Sequence, residues 1–546
     1  MTRHVIGLDF GSASARGVLL EADTGRQIAS HVHAYRHDTL TTGLPCGEPL
    51  AHGWALQVAT DYTEAAEAIL SAIGRGREVA GIGIGFTASS PMPTLADGTP
   101  LSVLHPEDPH AYVKLWKHGA AQGQADRINA TGGAFMDRFG GKVSGEWLLA
   151  KAAQIAEESP ESWDRTERFI EAGDWLVWQL TGHEVRSLGF AAYKAQYDPD
   201  TGYPDNVVPG LATRLGRPEP VGNIAGHLSS EWLARTGIIG PCAVAVAVID
   251  SHVVLPAIGA VDHGCFVGAL GTSAVSLMLT DAYRPLPEGI EGTAHDGSIR
   301  GLWCYEAGQA SFGDMLSWFV NAFPRGADRD ESFAHYNAAA GWLAPGENRL
   351  LALDWWNGNR VPHANSALSG LFVGLTHRSD PVGMYRALLE SLCFGMRLMV
   401  ELYEAGGFEI NRVVMTSGLA ARNPLLIQIM ADVLGRDVEV PEIANPTAVG
   451  AAIHGAVASG LVADFGEGAA RFGTTTARRY RSDPGAHSVY TRLYRQYEAL
   501  TRDPVLIAAM TALGDLAATG PAGIRESAER VEDSRARLQQ ITLEAD

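Results

Sequence analysis

Two segments about 260 residues apart are written to the same plan. Val5-Ile6-Gly7-Leu8-Asp9-Phe10 reads as a buried strand, Gly11-Ser12-Ala13-Ser14 as a turn and Ala15 to Glu21 as a returning strand. Cys265–Leu270, Gly271-Thr272-Ser273 and Ala274–Thr280 repeat that order. Asp23-Thr24-Gly25 then turns the first copy into a third strand, Arg26 to Ser30, giving an antiparallel meander. A strand–turn–strand device that opens each half of a chain is most simply an internal duplication. It predicts two similar α/β domains facing each other across a cleft. The length of 546 residues agrees, being too great for one compact core.

The other elements fit this division. Trp54, Val58, Tyr62, Ala65 and Ile69 share one face of a helix predicted over 54–74, and Val79–Phe86 reads as a buried strand entering the polar loop Thr87–Pro91. The stretch from about 110 to 240 is mostly helical by pattern. Gly301–Tyr305 reads as a strand and Ser311–Phe319 as a helix, with Glu306 between them as a candidate cap or first-turn acid. Arg412–Thr416 is a further strand, Pro424 to Leu434 a helix, and Ala448 to Ala458 a Gly/Ala-rich helix suited to close packing. From about residue 520 the chain is highly charged, which predicts a solvated helix or a frayed tail.

Composition narrows the function. The chain is 46% hydrophobic and 19% charged, so it folds. Its 42 basic and 62 acidic residues give a formal net charge of −20, which excludes non-specific binding to a nucleic-acid backbone. An anionic substrate must therefore be held locally, by backbone N–H groups, a few cations or a metal. Five scattered cysteines without CxxC spacing indicate a reducing compartment. The most apolar stretch, Pro241 to Val261, carries Asp250 and His252 at its centre and does not read as a membrane span. The strand that follows Met1 reaches Asp9 too early for a signal-peptide core, so the expectation is a soluble, cytoplasmic protein.

No GxxxxGK[ST] loop is present, and Gly81-Ile82-Gly83-Ile84-Gly85 does not open a helix. Phosphates would be met instead by the two turns, Gly11, Ser12 and Ser14 with Arg16 just beyond, and Gly271, Thr272 and Ser273. Such turns offer consecutive N–H groups and small hydroxyls, and a glycine at Gly271 suits a positive φ. Asp9, beside the first turn, could hold a magnesium ion through water. Asp250 ends the apolar run Ala243–Ile249, where it is either an acid pointing into the crevice or a helix N-cap. Lys194 is a lone cation that nothing local separates from a surface lysine; the tryptophans of Trp116-Lys117-His118 and Glu146-Trp147 either stack on a sugar or fill the core, the commoner role of such a residue. His31, His33 and His37 read as an edge-strand face rather than a metal set.

From about Val5 to Tyr497 the chain resembles the FGGY-type carbohydrate kinases. Ile6-Gly7-Leu8-Asp9-Phe10-Gly11-Ser12 and Gly271-Thr272-Ser273 are similar to their two phosphate motifs, and Ser417–Asn423 with Ala448–Ala452 to their adenosine segment, which usually begins Gly-Gly. Glu306–Asp314, Leu353–Arg360, Leu115–His118 and Ser144–Trp147 resemble motifs of the ketopentose kinases in that family. The resemblance implies a duplicated actin-like (ribonuclease H-like) α/β fold, divided at 1–262 and 263–505, with 506–546 a charged helical extension. It implies transfer of a phosphoryl group from ATP with Mg2+ to a ketopentose, L-ribulose foremost, with D-ribulose, xylulose or ribitol as alternatives and a non-catalytic relative further off. By the same resemblance Asp250 is the catalytic base, Ala88, Lys194 and Glu306 hold the sugar, and Gly418, Asn423 and Ala448 line the adenosine site. Neither nucleic acid nor membrane is an expected partner, and a homodimer is left open.

Overall fold

The computed structural model describes residues 3–519 apart from 205, 288, 366 and 367, with the backbone alone for 514–519. The charged segment from about 520 lies outside the described residues. Fourteen strands form two large sheets. In the first, β1 (Arg3–Phe10), β2 (Ser14–Glu21), β3 (Gln27–Ala34), β4 (Glu78–Phe86), β5 (Ile224–His227) and β6 (Ala243–Ala245) lie in the order β5-β6-β4-β1-β2-β3, with β7 (Val248–Ile249) also on β4. The second holds β8 (Cys265–Leu270), β9 (Ala274–Thr280), β10 (Gly292–His295), β11 (Trp303–Gln309), β12 (Arg412–Thr416), β13 (Val438–Pro441) and β14 (Ala477–Tyr480). Their order is β10-β11-β9-β8-β12-β13-β14.

The duplication is visible in the pairings. β1 runs antiparallel to β2 and parallel to β4, and β8 runs antiparallel to β9 and parallel to β12. Each meander continues antiparallel into a third strand, β3 or β11. The central strands read as continuous apolar runs because both of their faces are covered.

The helices that matter for the site are α1 (Ala59–Gly74), α2 (Leu188–Ala195), the short α3 (Asp250–Val253), α4 (Gly313–Ala322), α5 (Pro381–Ala405), α6 (Pro424–Leu434), α7 (Pro446–Ala458) and α8 (Pro504–Thr519). α7 belongs to the C-terminal half yet lies against β1 and β4 of the first sheet. The sequence permits this because glycines of the strands face the helix backbone. A Cβ on Gly7 would stand 1.7 Å from the Ala448 carbonyl oxygen, and one on Gly83 would stand 1.8 Å from that of Ala451. On the opposite side of α7, a Cβ on Gly450 would stand 1.8 Å from the Val253 carbonyl oxygen. Val5, Val18 and Leu20 accordingly share one apolar cluster with Val267, Leu277 and Val414 of the second sheet and with Ala448 and Ala452.

Several boundaries differ from expectation. α1 begins at Ala59, because Leu56 and Gln57 form a short strand paired with Val113–Lys114. β3 extends to Ala34. The division placed between 505 and 506 falls inside α8.

Candidate active site

The carboxyl ends of β1, β4, β7, β8 and β12 converge between the two sheets on a cavity of about 440 Å³. β1 delivers Asp9 and Gly11, β4 the Thr87–Ser89 loop, β7 Asp250, β8 Gly271–Ser273 and β12 Thr416 and Ser417. This is the end of a parallel sheet where α/β folds bind ligands, because the strand ends leave a crevice there. The two glycine turns close alike: Gly11 N–H donates to the Ser14 carbonyl at 3.0 Å, and Gly271 N–H to that of Ser273 at 2.9 Å. The second turn is also braced by the start of α4, where Gly313 N–H donates to the Gly271 carbonyl at 3.0 Å. The positive φ expected at Gly271 is absent. A Cβ there would meet only the Ser273 carbonyl oxygen, at 3.4 Å, so glycine leaves room in the cavity rather than serving the backbone.

Three acids in the wall differ in charge state. Burial pushes Asp9 up to about 6, partly offset by Arg16. Burial, with the added field of Asp9, pushes Asp250 up to about 7, against the pull of the Ser251 N–H and Lys194. Burial works against the charge of Glu306 too, but Lys194 and His252 more than offset it and hold this carboxyl well below the usual range. The geometry explains why. Lys194 Nζ donates to Glu306 Oε1 at 2.8 Å, and His252 Nε2 lies 2.9 Å from Oε2. Burial lowers the His252 pKa, against the pull of Glu306; Nε2 faces the Glu306 carboxylate and Nδ1 lies 2.6 Å from Ser298 Oγ.

Of the residues singled out from the sequence, Asp9, Gly11, Ala88, Trp116, Lys194, Asp250, Gly271, Thr272, Ser273 and Glu306 line this one cavity. Three bland readings are overturned. Glu306 lies in the middle of β11 and caps no helix. Asp250 is the first residue of α3, whose N-cap position is Ile249, and its Oδ1 accepts only from the adjacent Ser251 N–H, at 2.7 Å. Lys194 is buried, not a surface lysine. Ser12, Ser14, Arg16 and Gly418 flank the cavity in sequence without lining it. Asn423 and Ala448 also lie outside this cavity. Asn423 Oδ1 accepts from Leu426 N–H, capping α6, and its Nδ2 donates to Asn337 Oδ1. Ala448 is fully buried against β1.

Ser417 stands where the adenosine motif usually has glycine and takes φ 82°, ψ 178°, a region that favours glycine. Its Oγ donates to the Leu270 carbonyl, tying β12 to the second turn. Sequence reasoning missed Glu291, which lines the cavity beside β11 with its N–H on the Glu306 carbonyl at 2.9 Å, and which burial pushes up to about 7. Nothing local marks it; only strand pairing brings it to Glu306. Arg360 also lines the cavity and donates to Glu146 Oε2 at 3.1 Å. Among the described residues no set of three or more His, Cys, Asp and Glu side chains forms a metal cage. His37 instead pairs with Asp61 at 2.8 Å. No helix among them is long and apolar enough to cross a membrane.

Residues 267–459 match the C-terminal domain of the FGGY family of carbohydrate kinases. The chain is 38% identical over 532 residues to a ribulokinase of Halalkalibacterium halodurans, covering 91% of this chain and 94% of that protein. It is 38% identical over 529 residues to a ribulokinase of Mycolicibacterium smegmatis, covering 91% and 93%. Among solved structures, a xylulose kinase from Rhodospirillum rubrum superposes with a TM-score of 0.79 at 22% identity, over 94% of this chain and all of that one. Glycerol kinase from Plasmodium falciparum with ADP gives 0.74 at 14% identity, over 92% and 99%. These two likenesses show the shared actin-like architecture, and the near full-length identity to the curated relatives shows more: the chain belongs to the FGGY family of carbohydrate kinases.

Proposed function

We propose that the enzyme transfers the γ-phosphoryl group of Mg-ATP to the terminal, C5 hydroxyl of a ketopentose, with L-ribulose the preferred acceptor, as a step of arabinose catabolism. One observation carries the reading. Asp250 and the Lys194–Glu306 pair open onto the same cavity as both glycine turns, so an acceptor and a triphosphate would meet there. The choice of sugar rests on the likeness to ribulokinases at 38% identity.

In this reading Asp250 takes the proton of the attacking hydroxyl. The oxygen bonds to the γ-phosphorus, the bond to the β-phosphate oxygen breaks and ADP leaves. A carboxyl titrating at about 7 suits the task, because a base works best when its pKa lies near the operating pH. Lys194 and Glu306 present a charged donor and a charged acceptor to sugar hydroxyls. The turns at Gly11 and Gly271 present N–H groups to phosphate oxygens, where most of the rate enhancement of phosphoryl transfer arises. Asp9 and Asp250 are two buried acids whose charges oppose each other, an arrangement that a divalent cation would relieve. Magnesium typically binds through one or two carboxylates plus substrate phosphates, so Asp9 would hold an ion arriving with ATP, which would neutralise phosphate charge. Five free cysteines, four of them buried, agree with a cytoplasmic enzyme.

The experiment is ADP release across L-ribulose, D-ribulose, L-xylulose, D-xylulose, ribitol and glycerol. L-Ribulose should give the highest kcat/KM. A different winner would keep the reaction and change the sugar, and no sugar-dependent ADP release with any of them would overturn the reading.

A further inference from the structure

The first glycine turn is gripped from the acceptor side. The Ser12 carbonyl accepts from Gln57 Nε2 at 2.5 Å, and Ser12 Oγ accepts from Trp116 Nε1 at 2.9 Å. Gln57 is fixed in turn by Tyr62, whose hydroxyl donates to Gln57 Oε1 at 2.5 Å, and both of these side chains are buried. The two gripping residues come from one ribbon. Leu56–Gln57 pairs antiparallel with Val113–Lys114, which ends two residues short of Trp116. Trp116 itself lines the cavity with Ala88, Glu146 and Lys194. An indole has a single donor and no acceptor. With that donor spent on Ser12, Trp116 has only its ring to offer a sugar.

We propose that Trp116, which shares its hold on Ser12 with Gln57, is a positioning residue that couples the occupancy of the acceptor site to the geometry of the first phosphate turn. A polyol seated against the indole fixes the ring, and the fixed N–H holds Ser12 so that the turn's N–H groups stay aimed at the nucleotide phosphates. Binding linkage is reciprocal, so each substrate raises the affinity for the other by the same factor. The proposal rests on the reading of the cavity as a joint sugar and ATP site.

Calorimetry of L-ribulose binding, with and without magnesium and a non-hydrolysable ATP analogue, measures the factor directly. The wild-type protein should show an enhancement of about fivefold or more, within the usual range of such couplings. Trp116→Phe keeps a ring without a donor, and Ser12→Ala removes the acceptor while leaving the ring in place. Each should reduce the factor to about one or two, and the double variant should fall no further, because one hydrogen bond is lost in all three. Ser12→Ala should leave sugar affinity without nucleotide within about threefold of wild type. Where melting shows Trp116→Phe to be unfolded, Ser12→Ala carries the test alone, with the same loss of coupling expected. Variants that retain the wild-type factor, losses that add in the double variant, or a wild type without enhancement would overturn the proposal. A wild type that binds no sugar and releases no ADP across the sugar panel would overturn the underlying functional reading as well. A wild type that turns over sugar while the variants keep their coupling sinks the coupling alone.

Discussion

Asp250 puts a carboxyl group into a wall that burial makes hostile to charge, with the field of Asp9 added to it. Both acids titrate above their ordinary value of 3.8, at about 6 and about 7, so between those limits the folded protein holds protons that the unfolded chain has lost. Their stabilising contribution is therefore present at pH 4 and is lost as the pH rises through 7. Asp250→Asn should remove that loss and raise stability at pH 8 by roughly 1–3 kcal/mol, read from urea unfolding without ligands. Turnover of the same variant should fall about 10²–10⁴-fold, the usual worth of a positioned base, while each substrate still binds. A stabilised and fully active variant would remove Asp250 from the chemistry. Part of this was legible in the sequence: an acid that ends a buried strand stands out. Lys194 was not, because its significance lies in Glu306, 112 positions away, and only the fold brings the two within 2.8 Å.

At the scale of elements, α7 is a helix of small residues because it must approach the first sheet backbone to backbone. Gly83→Ala would place a methyl group 1.8 Å from the Ala451 carbonyl oxygen, with no flexible side chain available to give way. It should cost about 1–3 kcal/mol or more, the range for overpacking a core, and lower the melting temperature even though the residue lies on a strand without a charged or catalytic neighbour. An unchanged melting temperature would mean that α7 can lift off the sheet freely. The strands Cys265–Leu270, Ala274–Thr280 and Arg412–Thr416 and the helix Pro424–Leu434 were read from the sequence at the bounds they have, because apolar runs bounded by small or polar turn residues, or capped by Asn-Pro, are strong local signals. The start of α1 was not, because Trp54 keeps helical spacing while Leu56–Gln57 is claimed by a tertiary pairing with Val113–Lys114.

For the whole molecule, the duplication is legible in sequence order, but the way the halves share their core is not. Repeats of strand and turn predict two domains; the glycine row that admits a helix of one half into the other becomes visible only when Gly7 and Gly83 face Ala448 and Ala451. Residues 1–262 produced alone should therefore lack a cooperative urea transition, since Val5, Val18 and Leu20 lose the partners that bury them. A sharp two-state transition in that fragment would show that the first sheet is self-sufficient. The late arrival of α7 also sets a timetable for synthesis. At about 5–20 residues per second, the ribosome finishes Ala458 roughly 10–40 s after residue 262. For that interval the nascent first sheet has one naked apolar face, so the growing chain depends on chaperones most in the seconds before its own helix closes over it.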